Sequence, residues 1–182
     1  MITTTTTTTT AATEYRADDQ LDFRHVMSHL PTGAVAVAGV AADPATGAAR
    51  AAGLIVGTFQ SLSLAPPLVT FSVARTSGSW PLVRGCGTFT ASVLAEGQDA
   101  VCGALSRKAG DKFAGVDWHP SPEGAPRVGG AVAWIDCVWE RELDGGDHVI
   151  VIARVLRMRT GPGEPLVVHR GRLGGYRAPA AA

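Results

Sequence analysis

The sequence predicts a mainly β protein, a mostly antiparallel closed sheet with short peripheral helices. Three observations carry this expectation. At least six segments have the length and apolar patterning of strands, only two or three short helical segments lie between them, and strand–helix–strand crossovers do not repeat along the chain.

The elements follow in order. Residues 1–14 contain an uninterrupted threonine run and read as a disordered tail, because they offer too little apolar surface to offset the entropy of ordering them. Residues 15–178 are expected to form one domain. In 18–30, DDQLDFRHVMSHL, the apolar residues recur every three to four positions behind acidic residues, which predicts an amphipathic helix stopped by Pro31. TGAVAVAGVA (32–41) alternates like a strand, and DPATG supplies a turn.

AAGLIVGTFQSLSLAPPL (51–68) starts as a second strand and breaks at Gly57, and PLVTFSVA (67–74) is a third. SGSWPLVRGCG predicts a short helix with Pro81 in its first turn. FTASVLA is a strand, and EGQDAVCGALSRKAGDKF a helix that ends in a basic loop. AVAWIDCVWERE and HVIVIARVLRMR flank LDGGD and predict a long hairpin, with positive backbone angles at Gly145 and Gly146.

Composition narrows the function. With 16 basic and 16 acidic residues the net charge is zero, so no global field attracts nucleic acid or an anionic membrane. No apolar run approaches the ~18–20 residues of a membrane helix, and residues 1–14 lack the basic and apolar parts of a signal peptide. Cys86, Cys102 and Cys137 show no CxxC spacing and read as small buried residues of a protein in the reducing cytoplasm.

Standard catalytic signatures such as GxSxG, HExxH and the phosphate loop are absent. His25 and His29 share a helix face without an acidic partner at metalloprotease spacing, so no metal is expected there. Both lysines of the chain, Lys108 and Lys112, lie beside Arg107 in SRKAGDKF. That loop is either a solvated helix C-terminus or a phosphate clamp. His148 opens the second arm of the hairpin, and His169-Arg170 lead into a glycine-rich end.

FRHVMSHLPTGAVAVAG, the GxxxxxFxSxSLxPPL frame at 53–68, FTASVL, DKFAGVDW, GAPRVGGAVAWIDC, GGDHVIVIARV and HRGRLGGY occur in an order and spacing that resemble the flavin reductase-like family. These are the short-chain NAD(P)H:flavin oxidoreductases that serve two-component flavin-dependent monooxygenases. The resemblance spans residues 21–176. It implies a split β-barrel of Greek-key, FMN-binding type, a homodimer with flavin near the subunit interface, and diffusive delivery of reduced flavin to a monooxygenase.

By that match Val56, Gly57, Thr58, Phe59, Gln60, Ser61, Leu62 and Ser63 wrap the flavin. Ser72, Val73, Ser77, Ser79 and Trp80 approach its ribityl and phosphate end. Ser92 stands where the family commonly has asparagine, Lys112-Phe113 match its KF pair, His148 its nicotinamide-side histidine, and Arg170 its closing segment. The cofactors implied are FMN or FAD, with NADH ahead of NADPH by the habit of the family, in keeping with the lack of an extra arginine cluster for a 2′-phosphate. Such chemistry needs no triad: nicotinamide must be positioned against the flavin, and charge growing near N1 and O2 stabilised by backbone N–H groups and hydroxyls.

The chain departs from the family pattern at Ile55, where threonine is usual, and at Gly57, where asparagine is usual. Losing two hydrogen-bond partners at ~0.5–1.5 kcal/mol each predicts flavin binding weaker by about one to two orders of magnitude unless other groups substitute. Two functions accord with this: a reductase that holds flavin loosely as a substrate, or a divergent flavin-binding barrel with a non-reductase role in a specialised biosynthetic pathway.

Overall fold

The computed structural model describes residues 12–43 and 46–177. Most of the threonine-rich segment, together with Pro44 and Ala45 of the expected turn, lies outside them. The elements are α1 (Gln20–Met27), β1 (Thr32–Gly33), β2 (Val35–Ala42), β3 (Ala49–Val56), β4 (Gln60–Leu64), β5 (Pro67–Ala74), α2 (Trp80–Gly85), β6 (Thr88–Val93), α3 (Asp99–Ser106), β7 (Trp118–Pro120), β8 (Pro126–Val128), β9 (Ala133–Gly145), β10 (His148–Thr160), β11 (Leu166–His169) and β12 (Arg172–Gly175).

Seven strands form one antiparallel sheet in the order β3-β2-β6-β9-β10-β5-β4. Its two edge strands, β3 and β4, are consecutive in the chain and joined by only Gly57, Thr58 and Phe59. A three-residue link spans ~10 Å, so the sheet has to coil until its edges nearly meet. The expected closure is corrected here: no ladder joins β3 to β5 or β4, and the barrel remains split along that line.

β2 shows how period-two patterning builds two cores. Val35 and Val37 point into the barrel with Phe71, Phe89, Val151 and Trp80. Ala34, Ala36 and Ala38 point outward and pack under Leu94, Leu105, Phe113 and Leu166. Valine fills the wide interior, and alanine lets α3 and the 107–116 loop approach the backbone closely.

Asp136 and Arg127, which the sequence reading did not single out, form an ion pair at the barrel wall. Asp136 is 2% exposed, and it accepts from Thr90 Oγ1 at 2.7 Å and from Arg127 Nε at 3.2 Å. Cys102 and Cys137 are buried as expected, and burial pushes the Cys137 thiol up to about 12. Cys86 is only half-buried.

The helix α1 forms as expected, and one further expectation, at the β9–β10 turn, is corrected. Asp19 caps α1 through Leu21 N–H at 2.8 Å and Asp22 N–H at 3.0 Å, but none of the helix's residues is buried. Leu21 is 77% and Phe23 54% exposed, so the apolar face does not join its own chain's core. In the β9–β10 turn only Gly146 has a positive φ, +74°. Gly145 is the last residue of β9, paired with His148, so the connection is a two-residue Gly146-Asp147 turn that needs one glycine at its first position.

Candidate functional site

The split in the sheet is where the candidate side chains gather. Gly53 O accepts from Lys112 Nζ at 3.5 Å, so its backbone groups face away from β2. By strand alternation those of Ile55 face the same way, along the open edge of β3. On the other side β5 pairs with β4 only as far as Thr70, and residues 71–74 pair with β10 alone. Thr58 spans the gap: its Oγ1 accepts from Ser72 N–H at 2.8 Å and donates to Ser72 O at 3.4 Å.

Between these edges lies a cleft of about 730 Å³, lined by Leu54–Thr58, Ser72–Ala74, Thr76–Ser79, Leu105–Lys108, Lys112 and His148. That size suits a drug- or cofactor-sized ligand, for which sites of about 300–1,000 Å³ are usual.

His148 occupies one end of the cleft. It pairs with Ala74 on β5 and Gly145 on β9. Arg75 fixes the adjacent turn by donating from Nε to Gly146 O at 2.9 Å and from Nη2 to Asp144 Oδ1 at 2.5 Å, while its backbone N–H reaches Asp147 O at 2.9 Å. His148 Nδ1 lies 2.7 Å from the exposed Asp147 carboxylate. That contact holds the Asp147 carboxyl below the usual range. The imidazole is therefore oriented from behind by a carboxylate, a common way of fixing a ring and its tautomer.

The other end is cationic. Lys112 Nζ donates to Ser79 Oγ at 2.8 Å, Leu105 O at 3.2 Å and Gly53 O at 3.5 Å. It thereby ties β3, the residue before α2 and the end of α3 together. Burial, with repulsion from Arg107, lowers its pKa. Arg107 donates to Asp111 O at 2.9 Å and shapes the loop, and Lys108 extends from that loop into the cleft wall.

Of the residues singled out in the sequence, Ile55, Val56, Gly57, Thr58, Ser72, Val73, Ser77, Ser79, Arg107, Lys108, Lys112 and His148 line this cleft. The others lie outside its lining. Phe59 stacks on Phe71 with centroids 5.9 Å apart. Gln60, Ser61, Leu62 and Ser63 belong to β4, with a bulge between Ser61 and Ser63. Trp80 is buried and donates from Nε1 to Glu142 at 2.7 Å.

Ser92 is fully buried, and its Oγ accepts from Val128 N–H at 3.1 Å. Phe113 packs in the second core against Trp118. Arg170, at φ +51°, turns the β11–β12 corner and donates its N–H to Ser28 O at 2.8 Å. Sequence reasoning did not mark Leu54, Ala74, Thr76, Gly78, Leu105 or Ser106 as lining. The TSGS run at 76–79 was the available clue, since hydroxyls and glycine ahead of a short helix leave room for a ligand.

Known proteins place this architecture. The family model described as "Flavin reductase like domain" matches residues 27–177. A flavin reductase of Pseudomonas putida is 40% identical over 157 residues, 86% of this chain and 89% of that protein. The flavin-dependent monooxygenase reductase subunit HsaB of Mycobacterium tuberculosis is 37% identical over 156 residues, 84% of this chain and 80% of that protein. Among solved structures, the Streptomyces globisporus NADH:FAD oxidoreductase SgcE6, in complex with NAD and FAD fragments, superposes with a TM-score of 0.82 at 31% identity, covering 94% of this chain and 100% of that one. A split antiparallel sheet, a cleft along its seam and a family match over most of its length lead to one assignment: the chain belongs to the flavin reductase-like family.

Proposed function

We propose that the protein is an NAD(P)H:flavin oxidoreductase that reduces free FMN or FAD and supplies it to a partner monooxygenase. The observation that carries this reading is the seam cleft itself, with an oriented histidine at one end and a cationic loop at the other, in a chain of this family. The names of its relatives support the partnership, since they include reductase subunits of flavin-dependent monooxygenases.

The donor set fits a flavin. The open edge of β3 presents backbone N–H and C=O groups suited to the polar rim of a flat heterocycle. Hydroxyls of Thr58, Ser72, Ser77 and Ser79 suit a polyhydroxyl chain, and the positive charge of Arg107 and Lys112 suits the phosphate next to it. When bound, the flavin supplies an N5 position that accepts hydride from a nicotinamide. The protein's task is placement and charge. Backbone groups of 55–58 oppose charge developing on the polar rim, and Val56 and Val73 supply an apolar wall.

His148, held by Asp147, fixes the nicotinamide ring and needs no proton transfer for that role. NADH is the nucleotide we assign, because Arg75 at that end is already committed to Asp144 and Gly146 rather than free for a 2′-phosphate. A second copy covers the exposed apolar face of α1, formed by Leu21, Phe23, Val26, Met27 and Leu30, since contiguous apolar surface of this kind marks interfaces. Among the described residues no helix is long and apolar enough to cross a membrane, and we assign the protein to the cytoplasm, where its free thiols stay reduced.

The test is NADH consumption with added FMN or FAD, alongside flavin binding followed by fluorescence. Flavin-dependent oxidation of NADH is expected. Demonstrated flavin binding with no flavin-dependent rate would reject the reductase reading.

A further inference from the structure

Beside the seam cleft lies a smaller pocket of about 170 Å³ between β3, the segment before α2 and the loop after α3. The two share Gly53's neighbourhood on β3 and four wall residues, Gly78, Ser79, Lys108 and Lys112. Lys112 is the sill between them, and Arg50 lies only in the smaller one.

The charges along this path are spread out. A terminal phosphate monoester, as in FMN, is held best by several free donors converging on one point. Here the three Lys112 Nζ protons are directed at Ser79, Leu105 and Gly53, and Arg107, in the larger cavity only, gives one of its N–H groups to Asp111 O. Lys108, by contrast, makes no hydrogen bond or ion pair among the described residues, and it borders both cavities. Farther along, Arg50 turns its Nε to Asp43 at 3.1 Å and keeps its remaining guanidinium edge. The one carboxylate of the loop wall, Asp111, accepts from Phe113 N–H at 2.9 Å. Cationic groups thus follow one another past Lys112 instead of closing around a single site.

Resting on the flavin-reductase reading, we propose that the two cavities are one channel and that it selects FAD over FMN, with the second phosphate and adenosine ribose lying past Lys112 between Lys108 and Arg50. A diphosphate distributes its two charges along the chain of the molecule, as the cations are distributed along the channel.

The experiment is titration of the full chain with FAD, FMN and riboflavin, without nicotinamide, at fixed ionic strength. FAD is expected to bind about tenfold tighter than FMN, the scale of one charge-assisted contact near a surface. Arg50→Ala and Lys108→Ala, both exposed and checked for an unchanged melting temperature, should bring the FAD-to-FMN ratio toward one. Equal affinities in the parent protein, or a parallel loss for both flavins in the two variants, would overturn the selection of FAD while leaving the reductase reading intact. Failure of all three flavins to bind would overturn both.

Discussion

Lys112→Met is the most informative perturbation of the site's framework. It keeps the length of the side chain and removes the ammonium that ties three elements together. Hydrogen bonds from a charged donor contribute about 1.5–3 kcal/mol each when well made, and Lys112 makes two of ordinary length, 2.8 Å to Ser79 Oγ and 3.2 Å to Leu105 O. The group is half-buried, so solvent screening reduces these values, and its removal also relieves the desolvation and the Arg107 repulsion that lower its pKa.

The net loss expected is about 1–2 kcal/mol. For a domain of this size that corresponds to a fall in Tm of about 2–8 °C. The assay is thermal unfolding by circular dichroism, in parallel with flavin titration. A Tm equal to or above the parent's would refute the argument that this lysine joins β3, Ser79 and α3. The pH dependence gives a second check with a definite sign. A lysine whose folded pKa is lowered binds fewer protons folded than unfolded in the alkaline window below its ordinary value. Parent stability relative to Lys112→Met should therefore rise with pH through that window.

His148→Ala should raise KM for NADH more than KM for flavin in steady-state kinetics, and equal effects on both would contradict its nicotinamide-side position. Asp136→Ala leaves the Arg127 guanidinium buried without its carboxylate and should cost about 3–5 kcal/mol, read as a lower urea midpoint. Ile55→Thr adds a hydroxyl to the cleft wall and should tighten flavin binding severalfold, whereas unchanged affinity would show that the position does not face the ligand. Gly57→Asn meets a different obstacle, because a Cβ there would lie 2.8 Å from Thr32 Oγ1. It should bind flavin well only when combined with Thr32→Ala, a dependence that a double-mutant cycle would reveal. Phe23→Asp should shift the protein to a smaller species in analytical ultracentrifugation if α1 lies at the subunit interface.

Much of the fold was legible in the sequence because strands carry their own period. PLVTFSVA coincides with β5, Pro67–Ala74, since Val69, Phe71 and Val73 recur at period two and all point into the core. The seam was not legible, because its cause is global: three residues link the two edges of a seven-stranded sheet, and no local pattern reports how far that sheet coils. The helix α1 was found by its period, but what covers its apolar side was not legible, since periodicity shows that a face is apolar and not which surface lies against it.

The candidate site divides in the same way. Residues near the end of β3 at Gly57, with Ser72, Ser77, Ser79, Lys112 and His148, come together in space. Trp80, Ser92 and Phe113, adjacent to them in sequence or motif, have their polar atoms or rings occupied within the cores. The Arg127–Asp136 pair joins β8 to β9 at unremarkable sequence positions, so only the folded chain brings it to notice.

The Thr58 bridge also governs how the protein breathes. Two contacts of one hydroxyl to Ser72 are what join the seam at this point, and no rung of a β-ladder crosses it. Widening the gap breaks no strand pair, but it releases both Thr58 contacts and disturbs the core that Leu54 and Val56 of β3 share with Val69, Phe71 and Val73 of β5. Amide protons of the 54–58 edge and of Ser72 should exchange through this small opening, long before those of β2 and β6, which are paired on both sides.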